Sequence, residues 1–197
     1  HGAKALALPA DVMDTDALRA AIAATDAEFG RLDILVNNAG GVSGRPFLQQ
    51  SERSWRKHID INLISMLAAT HAAAPLMIRE GKGGSIINVA SIEASRAAPN
   101  FAVYAACKAG MLSFTKSMAV ELSGHGIRVN CIAPGAIATE GLNVYPDGVP
   151  ERFASTNPMK RMGDPTELVG PVVFLASRLA SYVTGAVLPV DGGYLIT

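Results

Sequence analysis

Tyr104 and Lys108 stand four residues apart in the run Tyr104-Ala-Ala-Cys-Lys108. On a helix that spacing puts both side chains on one face, about one turn apart. A lysine ammonium beside a phenol favours the phenolate, and a tyrosine tuned in this way can give or take a proton near neutral pH. The spacing alone arises by chance in about one chain in eight of this composition, so its surroundings must carry the argument. Ser91 is the first of those surroundings. It closes the apolar run 85–90 and precedes Tyr104 by 13 residues, enough for a loop to bring the chain back across a sheet edge. A serine hydroxyl there can hydrogen-bond a carbonyl or hydroxyl substrate. No Gly-x-Ser-x-Gly surrounds Ser91 and no histidine neighbours it, so a serine hydrolase elbow is not supported.

Three further groups stand where elements end. Asn37-Asn38-Ala39-Gly40 closes an apolar run, and its small residues let backbone approach a flat ligand, although a plain strand-to-loop turn has the same composition. Asn130-Cys-Ile-Ala-Pro134-Gly135 follows the same logic, with Pro and Gly opening a pocket lip. Asn62 falls inside a long helical run, where asparagine is a poor former; a satisfied core amide and a site residue account for it equally well. His58, His71 and His125 show no metal-ligand spacing and are read as structural or surface residues, so no metal site is expected. Trp55 and Met66 are read as packing, and Arg53, Arg56 and Lys57 as a solvated helix face.

These residues need elements to hold them. Short apolar runs at 4–9, 33–37, 85–90, 127–133 and 186–190 alternate with helical patterns at 14–29, 51–79, 101–122 and 164–177. Asp14 or Thr15 caps the first helix and Gly30 closes it; Asp164 caps the last, with Pro165 at its first position. Residues 136–163 read as irregular, with turns at 146–148 and at Pro158. The order β-α-β-α-β-α-β-α-β, with continuous rather than alternating apolar strands, predicts an α/β fold: a doubly wound, Rossmann-like parallel sheet in three α/β/α layers. Ligands of such sheets sit at the carboxyl ends of the strands, which is where Asp11, Asn38, Ser91, Pro134 and Asp191 fall.

Composition narrows the function classes. The 197 residues are 49% hydrophobic, enough for one domain and its core. Lys plus Arg and Asp plus Glu are both 17, and this balance lacks the basic surplus of a nucleic-acid binder or a polybasic membrane anchor. Residues 61–78 carry no formal charge, but Asn62, Ser65, Thr70, His71 and Pro75 interrupt them, so the stretch is read as a helix buried in protein. Cys107 and Cys131 lie 24 apart without a Cys-x-x-Cys, which suits a reducing, cytoplasmic setting.

Together these pieces resemble the short-chain dehydrogenase/reductase family of the Tyr-x-x-x-Lys type. The resemblance runs along nearly the whole chain. It takes in Asn37 to Gly40, Asn62 within Ile59-Asp60-Ile61-Asn62-Leu63, Ser91 after Asn88-Val89-Ala90, Tyr104 to Lys108, Pro134-Gly135 with Ile137 and Thr139, and Tyr182-Val-Thr-Gly185 leading to Val190-Asp191-Gly192-Gly193. It implies an oxidoreductase that interconverts a secondary alcohol and a ketone with NAD or NADP. Tyr104 would exchange the proton, Lys108 would lower its pKa and hold the nicotinamide ribose, Ser91 would orient the carbonyl, and Asn62 would hold a water of the proton relay. Asp11 and Val12 would contact adenine. Asn38, Ala39 and Gly40 would flank the adenosine ribose, and Pro134, Gly135, Ile137 and Thr139 the nicotinamide. The resemblance also implies pairing of the two long helices between subunits, hence a homodimer or homotetramer, which the apolar girth of 59–78 and 101–120 supports.

The family pattern opens with two βα units and a Thr-Gly-x-x-x-Gly-x-Gly loop that holds the pyrophosphate. The present chain starts with His1, just before what resembles the third strand, so those units, about 50 residues, are expected to be absent from a single, N-terminally incomplete domain spanning 1–197. This leaves a rival reading, a chain of the same fold that is non-enzymatic and cannot hold the dinucleotide. A carbonyl-binding or regulatory module would be expected to lack Tyr104 or Lys108, and both are present. The substrate pocket is expected near residues 42–45, 93–101 and 139–158. Glu93, Phe101, Asn143, Val144, Tyr145 and Phe153 there select no substrate class.

Overall fold

The first helix, α1 (Thr15–Phe29), shows how local chemistry sets the elements. Asp14 caps it by accepting from the Asp16 and Ala17 N–H groups, and Gly30 ends it at φ +72°, a conformation that suits glycine. The computed structural model describes residues 2–139 and 148–197. Four strands follow α1: β1 (Ile34–Asn37), β2 (Gly84–Val89), β3 (Ile127–Pro134) and β4 (Val187–Val190). They pair in the order β1-β2-β3-β4, all parallel, with Asn37, Asn88, Cys131 and Val187 in one row across the sheet.

Parallel strands need crossover helices, and these cover both faces. Between β1 and β2 run α2 (Glu52–Ile59), a π-helical turn (Asp60–Ile64) and α3 (Ser65–Glu80); between β2 and β3 runs α4 (Ala102–Ser123). Met77 and Ala74 of α3 and Ala119 and Leu122 of α4 pack on Ile86, Ile127 and Val129. Nearer the carboxyl edge, Met66 and Met111 pack on Ala90 and Cys131. The opposite face belongs to α6 (Val169–Ala176), whose Leu175 packs with Ala180 on Ile87 and Ile132. Ile86 and Ile87 are therefore both fully buried, on opposite faces, which is why this strand reads as a continuous apolar run.

A short helix, α5 (Val149–Thr156), lies inside the stretch read as irregular; its eight residues are too few for a helical period to show. The final helical run divides into a 3-10 turn (Pro165–Leu168) and α6. Asp164 accepts from Thr166 N–H while Glu167 accepts from Asp164 N–H, a capping box that tightens the first turn. The predicted strand 4–9 is a correction: residues 2–10 form no regular element and pair with no strand, so the described sheet has four strands instead of five. The segment is tied to α1 instead, through the Lys4–Glu28 ion pair and the Phe29 ring under Lys4. The outer edge of β1 leaves Ile34 and Val36 exposed.

The predicted helix 51–79 is one continuous run that changes winding at Asp60–Ile64, where Ser65 N–H donates to Asp60 O, five residues back. This run, Glu52–Glu80, has the length and apolarity of a membrane span, and half of its most apolar window is packed inside the fold. Asparagines tie the layers together. Asn37 Nδ2 donates to Asn88 Oδ1 (2.8 Å) and to Thr70 Oγ1 of α3 (3.2 Å), and Asn88 Nδ2 donates to Thr115 Oγ1 of α4 (2.8 Å). All four residues are buried. Replacing Asn88 with Leu should cost about 2–4 kcal/mol in urea unfolding, because it strands buried partners on both sides. A loss under about 0.5 kcal/mol would show that the network contributes nothing.

Candidate active site

A cavity of about 910 Å³ opens at the carboxyl edge of this sheet, within the usual range of ligand pockets. Most of the sequence-predicted site residues meet there: Asn38, Gly40, Asn62, Ser91, Tyr104, Lys108, Pro134, Gly135, Ile137 and Thr139. Ala39, between two of them, is exposed and does not line it. Asp11 and Val12 lie outside the lining, and Asp11 Oδ1 accepts from Met13 N–H in the turn that leads into α1. Of the expected substrate-pocket residues, Val42, Glu93, Phe101 and Phe153 line the cavity; Asn143, Val144 and Tyr145 fall outside the described residues.

The chain builds the centre from two adjacent elements. Strand β2 ends at Val89, and Ser91 follows, 9% exposed, with its Oγ accepting from Glu93 N–H at 3.2 Å. Helix α4 then returns over the sheet and places Tyr104 and Lys108 on one face, with Lys108 Nζ 5.7 Å from the Tyr104 ring centroid. Lys108 is 3% exposed, and its Nζ donates to the Val89 carbonyl at 2.8 Å. Burial pushes its ammonium down to about 8. The Cys131 and Cys107 thiolates would oppose this, but burial also pushes both thiols up, Cys131 to about 11, so neither is charged near neutral pH. A desolvated cation beside a phenol, held by one carbonyl, is suited to an incoming hydroxyl or oxyanion.

Asn62 closes the floor. It is fully buried, its Nδ2 donates to Gly41 O (2.7 Å) and His58 O (3.0 Å), and its Oδ1 accepts from Gly41 N–H (3.1 Å). Both amide protons are spent on backbone, and one lone pair of Oδ1 remains. Gly40 marks where that lone pair and Lys108 converge: a Cβ there would lie 2.9 Å from Asn62 Oδ1 and 3.4 Å from Lys108 Nζ. On the far side, Gly135 N–H donates to Val190 O and its Cα packs against Asp191. These close backbone approaches around a buried cation fit a flat ring bearing ribose hydroxyls, so the residues present suit a nicotinamide dinucleotide.

Sequence reasoning missed the outer wall. Leu168, Val172 and Val173 of the final helical run and Tyr194 line the cavity from the other layer. The Arg96 guanidinium lies 5.0 Å from the Tyr194 ring centroid and pairs with Glu93 at 2.7 Å. Glu93 Oε2 is buried and has no hydrogen-bond partner among the described residues. Glu93 is among the expected pocket residues; nothing local marks Leu168, Val172, Val173 or Tyr194. His58, read as structural, is buried one turn before Asn62 and bonded at both ring nitrogens.

The burial of Lys108 has a measurable sign. An unfolded lysine titrates near its ordinary 10.5, whereas this one titrates near 8. Between those values the unfolded chain holds more protons, so stability rises with pH across that window; below it both states are protonated and the full cost remains. Wild-type stability relative to Lys108→Met should therefore grow from pH 8 to 10.5, by on the order of 3 kcal/mol. A difference that stays flat over that range would contradict a desolvated ammonium.

Comparison with known proteins places this geometry in a family. Residues 1–195 match the family model described as enoyl-(acyl carrier protein) reductase. The chain is 41% identical over 199 residues to the L-rhamnose 1-dehydrogenase (NAD(P)(+)) of Azotobacter vinelandii, covering 99% of this chain and 77% of that protein. It is 38% identical over 192 residues to the 3-oxoacyl-[acyl-carrier-protein] reductase FabG of Staphylococcus aureus, covering 98% and 78%. Among solved structures, a short-chain type dehydrogenase/reductase from Mycobacterium marinum superposes with a TM-score of 0.95 at 36% identity, over 100% of this chain and 78% of that one. The chain belongs to the short-chain dehydrogenase/reductase family, whose cofactor is NAD or NADP.

Proposed function

We propose that this protein interconverts a secondary alcohol and a ketone by NAD(P)-dependent hydride transfer, with Tyr104 as the general acid and base. The observation that carries the reading is the convergence of Ser91, Tyr104 and the desolvated Lys108 on one cavity at the carboxyl edge of the sheet. A nicotinamide dinucleotide, when bound, supplies the hydride acceptor or donor. The side chains supply position and protons. Ser91 Oγ hydrogen-bonds the substrate oxygen and fixes the carbinol carbon. In the oxidative direction the Tyr104 oxygen takes the hydroxyl proton as hydride leaves the carbinol carbon; in the reductive direction it returns the proton to the forming alkoxide. Lys108 favours the charged form of that oxygen and would donate to a ribose hydroxyl of the dinucleotide. Asn62 offers its remaining lone pair to a water beyond Lys108.

Asn38, Ala39 and Gly40 would take the adenosine side, and Pro134, Gly135, Ile137 and Thr139 the nicotinamide side. Asp11 and Val12, in the turn before α1, would take the adenine. The substrate is a small alcohol or ketone whose body lies against Phe101, Phe153 and Val172. Free, buried Cys107 and Cys131 suit a reducing compartment, and we place the protein in the cytoplasm. Exposed apolar side chains along the two long helices, Ile59, Ile64, Ile78 and Val120, support a homodimer or homotetramer.

Tyr104→Phe removes the proton carrier and keeps the ring. Turnover of an alcohol panel with either cofactor should fall at least about 100-fold, with an unchanged circular dichroism melt. Retained turnover would refute the mechanism, and failure of wild type to bind either NADH or NADPH would favour the non-enzymatic reading. Light scattering at micromolar concentration should report a dimer or tetramer; a monomer would contradict the subunit pairing.

A further inference from the structure

His58 is buried one helical turn before Asn62, and the proposed chemistry does not use it. Both of its ring nitrogens are engaged. Nδ1 lies 2.8 Å from the Ser54 carbonyl; Nε2 lies 3.2 Å from the Ser43 amide nitrogen and 3.3 Å from Ser43 Oγ. A carbonyl can only accept, so Nδ1 carries the proton. A backbone N–H can only donate, so Nε2 is bare. The ring is therefore neutral, in the Nδ1–H tautomer, with a defined acceptor on the loop side.

That loop roofs the site. Gly40, Gly41 and Val42 line the cavity, and the loop that carries them joins β1 to α2. Its backbone is tied to α2 and the π turn at two neighbouring points: both polar groups of Gly41 bond Asn62, and the N–H of Ser43 bonds His58. A third tie, Arg45 N–H to Asn100 O, lies farther along. We infer that His58 is a positioning residue: by accepting the Ser43 N–H it holds the 41–43 loop at the cavity, and loss of that acceptor releases the loop and weakens ligand binding.

The hydrogen-bonding partners of the His58 ring are uncharged. From α4 the contact is Cys107, whose Sγ lies 3.7 Å from His58 O and whose thiol burial pushes up. The loop presents Ser43, and the ring's partner on α2 is the Ser54 carbonyl. Arg56, Lys57 and Asp60 neighbour it in sequence, and Arg56 is paired with Glu52. Among the described residues no carboxylate hydrogen-bonds either ring nitrogen.

The effect on ligand binding rests on the proposed function, whereas the tautomer and the loop tie do not, and the experiment separates them. Long-range 1H–15N correlation on histidine-labelled protein should show His58 as the Nδ1–H tautomer at pH 7.5. Amide exchange should show Ser43 protected in the wild type. His58→Gln keeps one donor and one acceptor and should keep that protection, whereas His58→Leu keeps neither and should lose it. With whichever of NADH and NADPH binds as probe, His58→Leu should raise Kd and KM about tenfold and change kcat less, with His58→Gln restoring both. The Nε2–H tautomer, or Ser43 protection that persists in His58→Leu, would overturn the inference. If neither NADH nor NADPH binds, the functional reading fails, and the tautomer and exchange measurements still decide this one.

Discussion

The ammonium of Lys108 sits at the carboxyl edge of a parallel sheet, almost without access to water, and the structure offers it one carbonyl. A buried cation held this way is costly, and an acid within reach would have relieved the cost. The chain instead surrounds it with two neutral thiols and the amide of Asn62 beyond Gly40, and sets the Tyr104 ring beside it. The consequence is a site suited to a ligand carrying hydroxyls or a developing oxyanion. In the proposed mechanism this arrangement gives Tyr104 a reason to ionise when substrate and cofactor are in place.

Holding that cation requires a rigid frame, and much of the frame is polar. The Asn37–Asn88–Thr115 network locks two strands to the helices above them, and Asn130 does the same with the turn before β4 by donating to Val183 O and accepting from Ala186 N–H. Each amide is fully buried or nearly so, and each hydrogen-bonds inside the protein. The layers are fixed against sliding, so the ends of β2 and α4 meet in one register. The π turn at Asp60–Ile64 is the local exception that serves the site. It rotates Asn62 inward, where its side chain takes over the His58 carbonyl and clamps Gly41.

Several of these features were legible in the chain. Asp14 and Gly30 mark the ends of α1, continuous apolar runs mark the buried strands, and the four-residue spacing from Tyr104 to Lys108 places both on one helix face. What escaped the sequence depends on partners far along the chain. A strand exists only through its neighbour, so the apolar pattern at 4–9 did not make one. The π turn depends on Gly41, 21 residues before Asn62, and the role of His58 on Ser43, 15 residues before it. The outer wall of the cavity comes from α6 and the C-terminal turn, on the opposite layer from α4, and no spacing near Ser91 announces it.

The central claim is that this frame directs a hydride to one carbon and a proton to one oxygen. The most direct measurement incubates the protein with NADH or NADPH deuterated at the hydride-donating carbon and a panel of small ketones, and reads the alcohol products by mass spectrometry. The account predicts one deuterium at the carbinol carbon and an unlabelled hydroxyl, with a single enantiomer formed. Bound cofactor with no labelled product across the panel, or deuterium that exchanges with solvent, would contradict it.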